Sequence, residues 1–452
     1  MKTARDIAFE VLAAVELDDA YANLALSKLL NSSKLDARDA AMAQELAFGA
    51  IRSKALYEYV IESGSNRSIN DIDPKAMCVL LLGVHQLLGM RVPAHAAISE
   101  TVNLAKRELK LSASGFVNGV LRRASEHDRS FWEANFEKGK SGDALLAAKY
   151  SHPLWIVNAL RQALELDGRA DELDGLLALD NEPADVNVVA LPGFSDEKEL
   201  VAAGLKPGFA SPIGYELIAG NPAKVPAIAA GRARVQDQGS QLVALALAAA
   251  ASVTPGEQWL DLCAGPGGKA ALLAALAKTH GAHLTCNELA PHRAKLVETA
   301  LAPIDPEIYV RVGDGRELGQ DAPESFDRIL IDAPCTGLGA LRRRPEARWR
   351  KKPSDLPNLV SLQKELLESA WQGLKPGGIL VYSTCSPHAS ETIAVVDWVV
   401  KRFNCELVDA QSTLKQINPG LAFKANRLTA QLWPQAHGTD AMFLAILRKP
   451  IG

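Results

Sequence analysis

The chain has 452 residues, 48% hydrophobic and 23% charged, with a formal net charge of −4. These values fit two or three globular domains with buried cores and exclude a collagen-like or low-complexity chain. The slightly acidic total excludes non-specific polyanion binding by the molecule as a whole, so any nucleic-acid contact must come from a local patch. The six cysteines are Cys78, Cys263, Cys286, Cys335, Cys385 and Cys405. None forms a C-x-x-C pair or stands at zinc-ligand spacing from a histidine, so no metal is expected. Sparse, unpaired thiols fit a reduced, cytoplasmic setting. The N-terminus lacks an apolar signal-peptide core, and the Ala-rich stretch Leu242–Val253 is too short to span a bilayer.

Residues 1–140 read as an all-helical domain: Ala4, Ile7, Ala8, Val11, Leu12 and Val15 recur at i, i+3, i+4 spacing, and Val79–Leu88 continues the pattern. Lys106, Arg107, Lys110, Arg122 and Arg123 give its later part a basic bias compatible with docking RNA. Residues 141–231 read as a small α+β connector, with a helix opening at His152-Pro153-Leu154 and a strand over Asp185–Val189. From 232 to 452 strand, turn and helix alternate. Strands are expected at Trp259–Cys263, His283–Asn287, Ile308–Val312, Phe326–Ile331, Gly378–Ser383 and Met442–Leu447, with helices between several of them. Such alternation predicts an α/β, doubly wound, Rossmann-like domain with a largely parallel sheet.

In an open parallel sheet the chemistry gathers at the carboxyl ends of the strands. The first strand-to-helix turn there is Cys263-Ala264-Gly265-Pro266-Gly267-Gly268-Lys269, whose glycines let backbone amides approach a ligand. Its spacing matches neither G-x-G-x-x-G nor a P-loop, which disfavours dinucleotide and nucleoside-triphosphate chemistry. Glu288, ending the next strand, is placed for ribose hydroxyls, and Asp314, after the third, for an adenine amine. The set predicts an adenosyl ligand. Asp332-Ala333-Pro334-Cys335 and Ser383-Thr384-Cys385-Ser386-Pro387 each follow a strand and deliver a thiol to the same edge. Leu341–Lys352 packs seven basic residues and Trp349 into twelve positions just past Cys335. Arg342, Arg343, Arg344, Arg348 and Arg350 are therefore expected to hold RNA phosphates, and Trp349 to pack in a core or stack on a base.

Leu260–Lys269, the Asp332–Cys335 segment and the Ser383–Ser386 segment resemble the signature of the Sun/Nop2 family of RNA cytosine-C5 methyltransferases. Val235–Gln241 is similar to that family's approach to its catalytic domain. Residues 115–123, Gly115-Phe116-Val117-Asn118-Gly119-Val120-Leu121-Arg122-Arg123, resemble the close of a NusB-like RNA-binding domain. The combination resembles bacterial 16S rRNA methyltransferases, and the resemblance implies S-adenosylmethionine as cofactor and RNA, foremost 16S rRNA, as partner. It implies cofactor contacts from Cys263, Ala264, Gly265, Pro266, Gly267, Gly268, Lys269, Glu288, Asp314 and Asp332. Three departures stand out: Gly265 where many members have Ala, Glu288 where many have Asp, and Asp185-Val186-Asn187 in place of an Arg-x-Asn strand.

The residue chemistry explains why two thiols would be needed. Cytosine C5 becomes nucleophilic once a thiolate adds to C6, and a second group must help the adduct break down. Asp332 is the expected acid beside the base. A Pro-Cys motif attacks in DNA cytosine methyltransferases, which would nominate Cys335; the Sun/Nop2 resemblance implies attack by Cys385, with Cys335 assisting release. Alternatives are a transfer-RNA cytosine-C5 methyltransferase, and a non-catalytic RNA-binding or antitermination factor built on the helical module. A monomer is expected.

Overall fold

A computed structural model describes residues 2–110 and 112–451. The chain divides into two compact units. One contains the residues up to Asn158, with Asp180–Glu182 and Leu341–Arg350; the other contains Ala159–Leu179, Pro183–Ala340 and Lys351 onward.

The first unit is helical. Its helices include Ala4–Leu17, Ala37–Arg52, Lys54–Ser65, Pro74–Leu88, Ala94–Glu108 and Ala113–Ala124. The first begins with a capping box, Thr3 accepting from the Asp6 amide while Asp6 accepts from the Thr3 amide at 2.8 Å. The apolar stripe Ile7, Ala8, Val11, Leu12 and Val15 is buried against Leu46, Ile51, Leu80 and Leu81. Full burial of each such aliphatic side chain contributes about 1.5–3 kcal/mol. Pro74–Leu88 is apolar nearly all round and runs through the core, as a buried helix should. Helices Arg129–Glu137 and Gly142–Lys149 also belong to this unit, so it extends beyond the boundary expected at residue 140.

The second unit carries two sheets. In the smaller one, Leu205–Pro207, Gly214–Leu217, Val186–Ala190 and Ala233–Val235 lie side by side in that order, all antiparallel. Its last strand falls past residue 231, because Val188 pairs with Val235 and draws Ala233–Val235 into the connector. The larger sheet contains β1 (Gln258–Asp261), β2 (His283–Glu288), β3 (Tyr309–Val312), β4 (Phe326–Asp332), β5 (Leu374–Thr384), β6 (Glu406–Val408) and β7 (Phe443–Arg448). Their order is β6-β7-β5-β4-β1-β2-β3, with only β7 antiparallel to its neighbours and Ala430–Gln431 added alongside it. This is the doubly wound α/β arrangement that the alternating pattern predicts.

Helix Gly268–His280, rich in Ala and Leu, is buried for most of its length between the sheet and its neighbours. Ile329, Leu330 and Ile331 of β4 and Leu380, Val381 and Tyr382 of β5 are buried on both faces of the sheet, the continuous apolar run of a central parallel strand. β4 and β5 are adjacent, with Asp332 opposite Ser383. That pairing brings together two loops fifty residues apart in sequence. No helix among the described residues is long and apolar enough to cross a membrane.

Candidate active site

The turn after β1 runs directly into helix Gly268–His280, so its backbone N–H groups face the carboxyl edge of the sheet. Gly267 adopts φ +104°, and a Cβ there would stand 2.6 Å from Ala300 Cβ, so glycine is required on both counts. Glu288 is buried; one carboxylate oxygen accepts from the Gly265 amide and the other from the Ala290 amide, each at 3.0 Å. Arg293 completes this corner, donating to Gly265 O at 2.6 Å and lying 3.6 Å from Glu288. A Cβ on Gly265 would meet Glu288 Oε2 at 2.2 Å. Two of the departures noted in the sequence thus meet: the longer carboxylate at 288 fills the space that a Cβ at 265 would take, so an alanine there would have to displace it.

Asp314 follows β3, but its carboxylate is gripped by Arg316 through contacts of 2.6–3.0 Å, which holds it below the usual carboxylate range. Asp332 ends β4. Its Oδ2 accepts from Lys269 Nζ at 2.8 Å and its Oδ1 from Ser383 Oγ at 3.3 Å. Burial works against the charge on Lys269, yet Asp332, with Cys385 and Asp261 beyond it, keeps its pKa above the ordinary lysine value.

The two thiols meet. Cys335 Sγ and Cys385 Sγ are 3.5 Å apart, and both residues are partly exposed. The Cys335 thiol is held well above its usual value, first by its hydrogen bond with Cys385 and then by burial, with the negative charges of Glu391 and Asp332 adding to both. The loops are stitched together by backbone bonds: Ala333 N to Ser383 O at 2.8 Å, Gly339 N to Cys385 O at 2.9 Å and Ala441 N to Gly339 O at 2.8 Å. A Cβ at Gly339 would lie 2.0 Å from Ala441 O, so only glycine permits this approach. Cys263 is different. Burial first, then neighbouring carboxylates, pushes its thiol well above the ordinary range, which leaves backbone contact as its contribution.

Four residues of the site were not singled out from sequence: Asp261, Thr336, Gln363 and Glu391. Asp261 is fully buried at the end of β1, and neither of its carboxylate oxygens has a hydrogen-bond partner. Burial, then the nearby Asp332 charge, pushes its pKa up to about 7, with Lys269 opposing. An acid inside the apolar run Trp259–Leu262 was the available signal. Glu391 sits in a polar loop and gave none. An orphaned buried acid beneath a glycine turn suits a ligand that brings an ammonium group to that turn. Among the described residues no group of three or more His, Cys, Asp or Glu side chains is arranged to hold a metal.

The basic segment does something other than expected. Leu341, Glu346 and Arg348 are buried within the helical unit. Arg348 donates to Asn181 Oδ1 at 2.8 Å, Asp180 O at 3.0 Å, Ser151 O at 3.3 Å and Arg52 O at 3.4 Å; burial pushes its pKa down to about 10. Trp349 donates to Ile51 O at 2.8 Å, and Arg350 to Val15 O, Asp19 O and Ala20 O at 2.5–3.0 Å. Several of these acceptors are the unsatisfied carbonyls at the ends of helices Ala4–Leu17 and Ala37–Arg52. Arg348 and Arg350 therefore cap helices instead of holding phosphates. Arg344 is exposed and lies over the Tyr21 ring at 5.0 Å; Arg342 and Arg343 are partly exposed.

A doubly wound sheet with a glycine turn and paired acids, preceded by a helical unit, defines a methyltransferase-type catalytic domain joined to a NusB-type module. Residues 248–448 match the family described as 16S rRNA methyltransferase RsmB/F, and residues 2–126 match the NusB family. The putative methyltransferase Rv1407 of Mycobacterium tuberculosis is 44% identical over 99% of this chain and 96% of its own length. The probable ribosomal RNA small subunit methyltransferase B of Bacillus subtilis is 30% identical over 99% of both chains. The crystal structure of PH0851 shares the fold with a TM-score of 0.83 at 22% identity, covering 99% of each chain. The chain belongs to the RsmB/F family and is an RNA methyltransferase of that type.

Proposed function

We propose that this protein is an S-adenosylmethionine-dependent 16S rRNA cytosine-C5 methyltransferase that works through a cysteine–C6 adduct. The observation that carries the reading is the 3.5 Å approach of the two thiols beside the Lys269–Asp332 pair. Small-subunit rRNA as the substrate class is supported by the names of its relatives.

In this reading Ala264–Lys269, Glu288, Asp261, Asp314 and Asp332 hold the cofactor, which supplies an electrophilic methyl group to C5 when bound. Asp314 would take up that role by exchanging Arg316 for the ligand. Cys385 attacks: its sulfur bonds to C6, and the C5–C6 π pair becomes available at C5. Two neighbours favour the thiolate it needs, the Lys269 ammonium and the Cys335 thiol. Asp332, bonded to Lys269 Nζ at 2.8 Å, is the acid beside the base, and the pair carries the proton that relieves charge at N3. After methylation, loss of the C5 proton and breaking of the S–C6 bond restore the ring double bond, and Cys335 assists that release. A base within a duplex cannot present C6 to a thiol, so the target is single-stranded or flipped out. Arg342, Arg343 and Arg344 remain as contacts for flanking phosphates.

The test is direct. Purified protein, S-adenosylmethionine and unmethylated 16S rRNA are incubated, and the RNA is sequenced after bisulfite treatment. One protected cytosine is expected; protection only in transfer RNA would move the substrate, and none in either would remove the activity.

A further inference from the structure

One buried carboxylate beside the thiols has no part in the chemistry above. Glu391 is fully buried, six residues past Cys385. Its Oε1 accepts from the Thr336 amide at 2.8 Å and from Gln363 Nε2 at 3.2 Å; its Oε2 accepts from the Thr336 hydroxyl at 2.5 Å. Gln363 Nε2 also donates to Pro334 O at 2.9 Å. The residues on both sides of Cys335 are thereby tied to one carboxylate group. Tyr382 holds the Glu391 backbone in turn, donating to its carbonyl at 2.7 Å.

The bond directions follow from counting protons. Thr336 has one hydroxyl proton, and Glu391 takes it. In the 2.9 Å contact between Thr336 Oγ1 and Ser386 Oγ, serine must therefore donate. Ser386 Oγ in turn accepts from the His388 amide at 3.2 Å. A directed chain thus runs from the Cys385 loop, through the residue after Cys385 and the residue after Cys335, to Glu391. Among the described residues Glu391 is held by hydrogen bonds and not by an ion pair, a costly way to bury a charge unless the charge has a use.

We propose that Glu391 is a positioning residue for the two-thiol site, its carboxylate locking both cysteine loops so that Cys335 presents its S–H toward the Cys385 sulfur. This rests on the reading that the two thiols share the reaction. The groups facing Cys335 are Cys385, Glu391 and Asp332, with the buried Tyr382 also near it; Lys269, the nearby cation, acts on Cys385 and Asp332. Three of these carry or can take negative charge toward Cys335, and Glu391 is the one fixed in place by both loops. Removing its charge frees Cys335 to ionise and blurs the division of labour between the thiols.

The experiment is alkylation of the full-length protein by iodoacetamide across a pH series, mapped by mass spectrometry at low conversion. It needs neither RNA nor cofactor, so its outcome stands apart from whether cytosine is methylated. In the wild type Cys385 should react first and Cys335 only at higher pH. Glu391→Gln keeps size and most hydrogen bonds, and should lower the Cys335 midpoint by about one unit, close to tenfold faster alkylation below both midpoints. Glu391→Asp keeps the charge and should stay nearer the wild type. A folded Glu391→Gln protein with an unchanged Cys335 midpoint, whatever its melting temperature, overturns the proposal. So does wild-type protein in which Cys335 reacts before Cys385, a result that needs no variant.

Discussion

Two neighbouring stretches, Asp332–Ala340 and Leu341–Arg350, carry the residue types that most invite a functional reading, and they divide sharply. In the first, Cys335 is left partly exposed, its sulfur against a second thiol and its flanks tied down by Glu391 and Gln363. In the second, Arg348 and Arg350 spend their donors on backbone carbonyls at helix ends and in the loops beside them and on the Asn181 side chain, and Trp349 donates its indole N–H to Ile51 O. A guanidinium satisfies orphaned carbonyls as readily as it satisfies phosphate, because both offer oxygen lone pairs. Only the partner list separates the two uses. An arginine run is therefore weaker ground for a nucleic-acid contact than two thiols brought together at one sheet edge are for chemistry.

The sharpest way to break this comparison is to remove the groups on each side. Cys385→Ala should lower methyl transfer on the order of 10⁴-fold or more with folding intact, measured by labelled methyl incorporation and thermal melting. Arg348→Ala should leave a reachable active site but cost about 3 kcal/mol or more of stability, since it strands buried carbonyls and opens a cavity; Arg344→Ala should cost no more than about 0.5 kcal/mol. Denaturant titration reads both, and equal losses would mean that the buried and exposed arginines of Leu341–Arg350 do the same work.

A third test turns on pH. Asp261 has its pKa raised to about 7 from 3.8, so the folded state binds its proton more tightly than the unfolded state. Stability from this group is complete below about pH 4 and is lost as pH rises toward 7. Asp261→Asn should therefore stabilise the cofactor-free protein at pH 8 by up to about 4 kcal/mol and flatten that pH dependence, read from urea midpoints. The smallest effect belongs to the three arginines at the start of the basic segment. Neutralising Arg342, Arg343 and Arg344 together should weaken RNA binding and reduce its salt slope without changing catalysis on saturating RNA. Unchanged binding would remove the whole segment from substrate recognition.

Much of the architecture was legible in the sequence. The central strands occur where the alternating pattern predicts them and differ by a few residues at their ends, because apolar runs bounded by Gly and Pro leave little ambiguity. The glycine turn, Glu288, Asp332 and both cysteines were visible as strand-end residues. Other features depend on contacts that no local pattern encodes. The strand Ala233–Val235 was not anticipated, because its partner, Val186–Ala190, lies more than forty residues earlier. Helix Ile393–Phe403, strand β6 and helix Ala410–Ile417 follow the second thiol and were not anticipated. The linkage of Gly265 to Glu288 emerged only from a 2.2 Å clash. Glu391 was invisible for the same reason: its donors come from residues 28 and 55 positions away.

The division of labour between the thiols is the central claim, and one denaturing gel addresses it. Protein is mixed with S-adenosylmethionine and target RNA, and covalent complexes are resolved as a slow band. A strong band is expected for Cys335→Ala, which attacks but releases poorly, and none for Cys385→Ala. A band in Cys385→Ala that disappears in Cys335→Ala would contradict it and exchange the two roles.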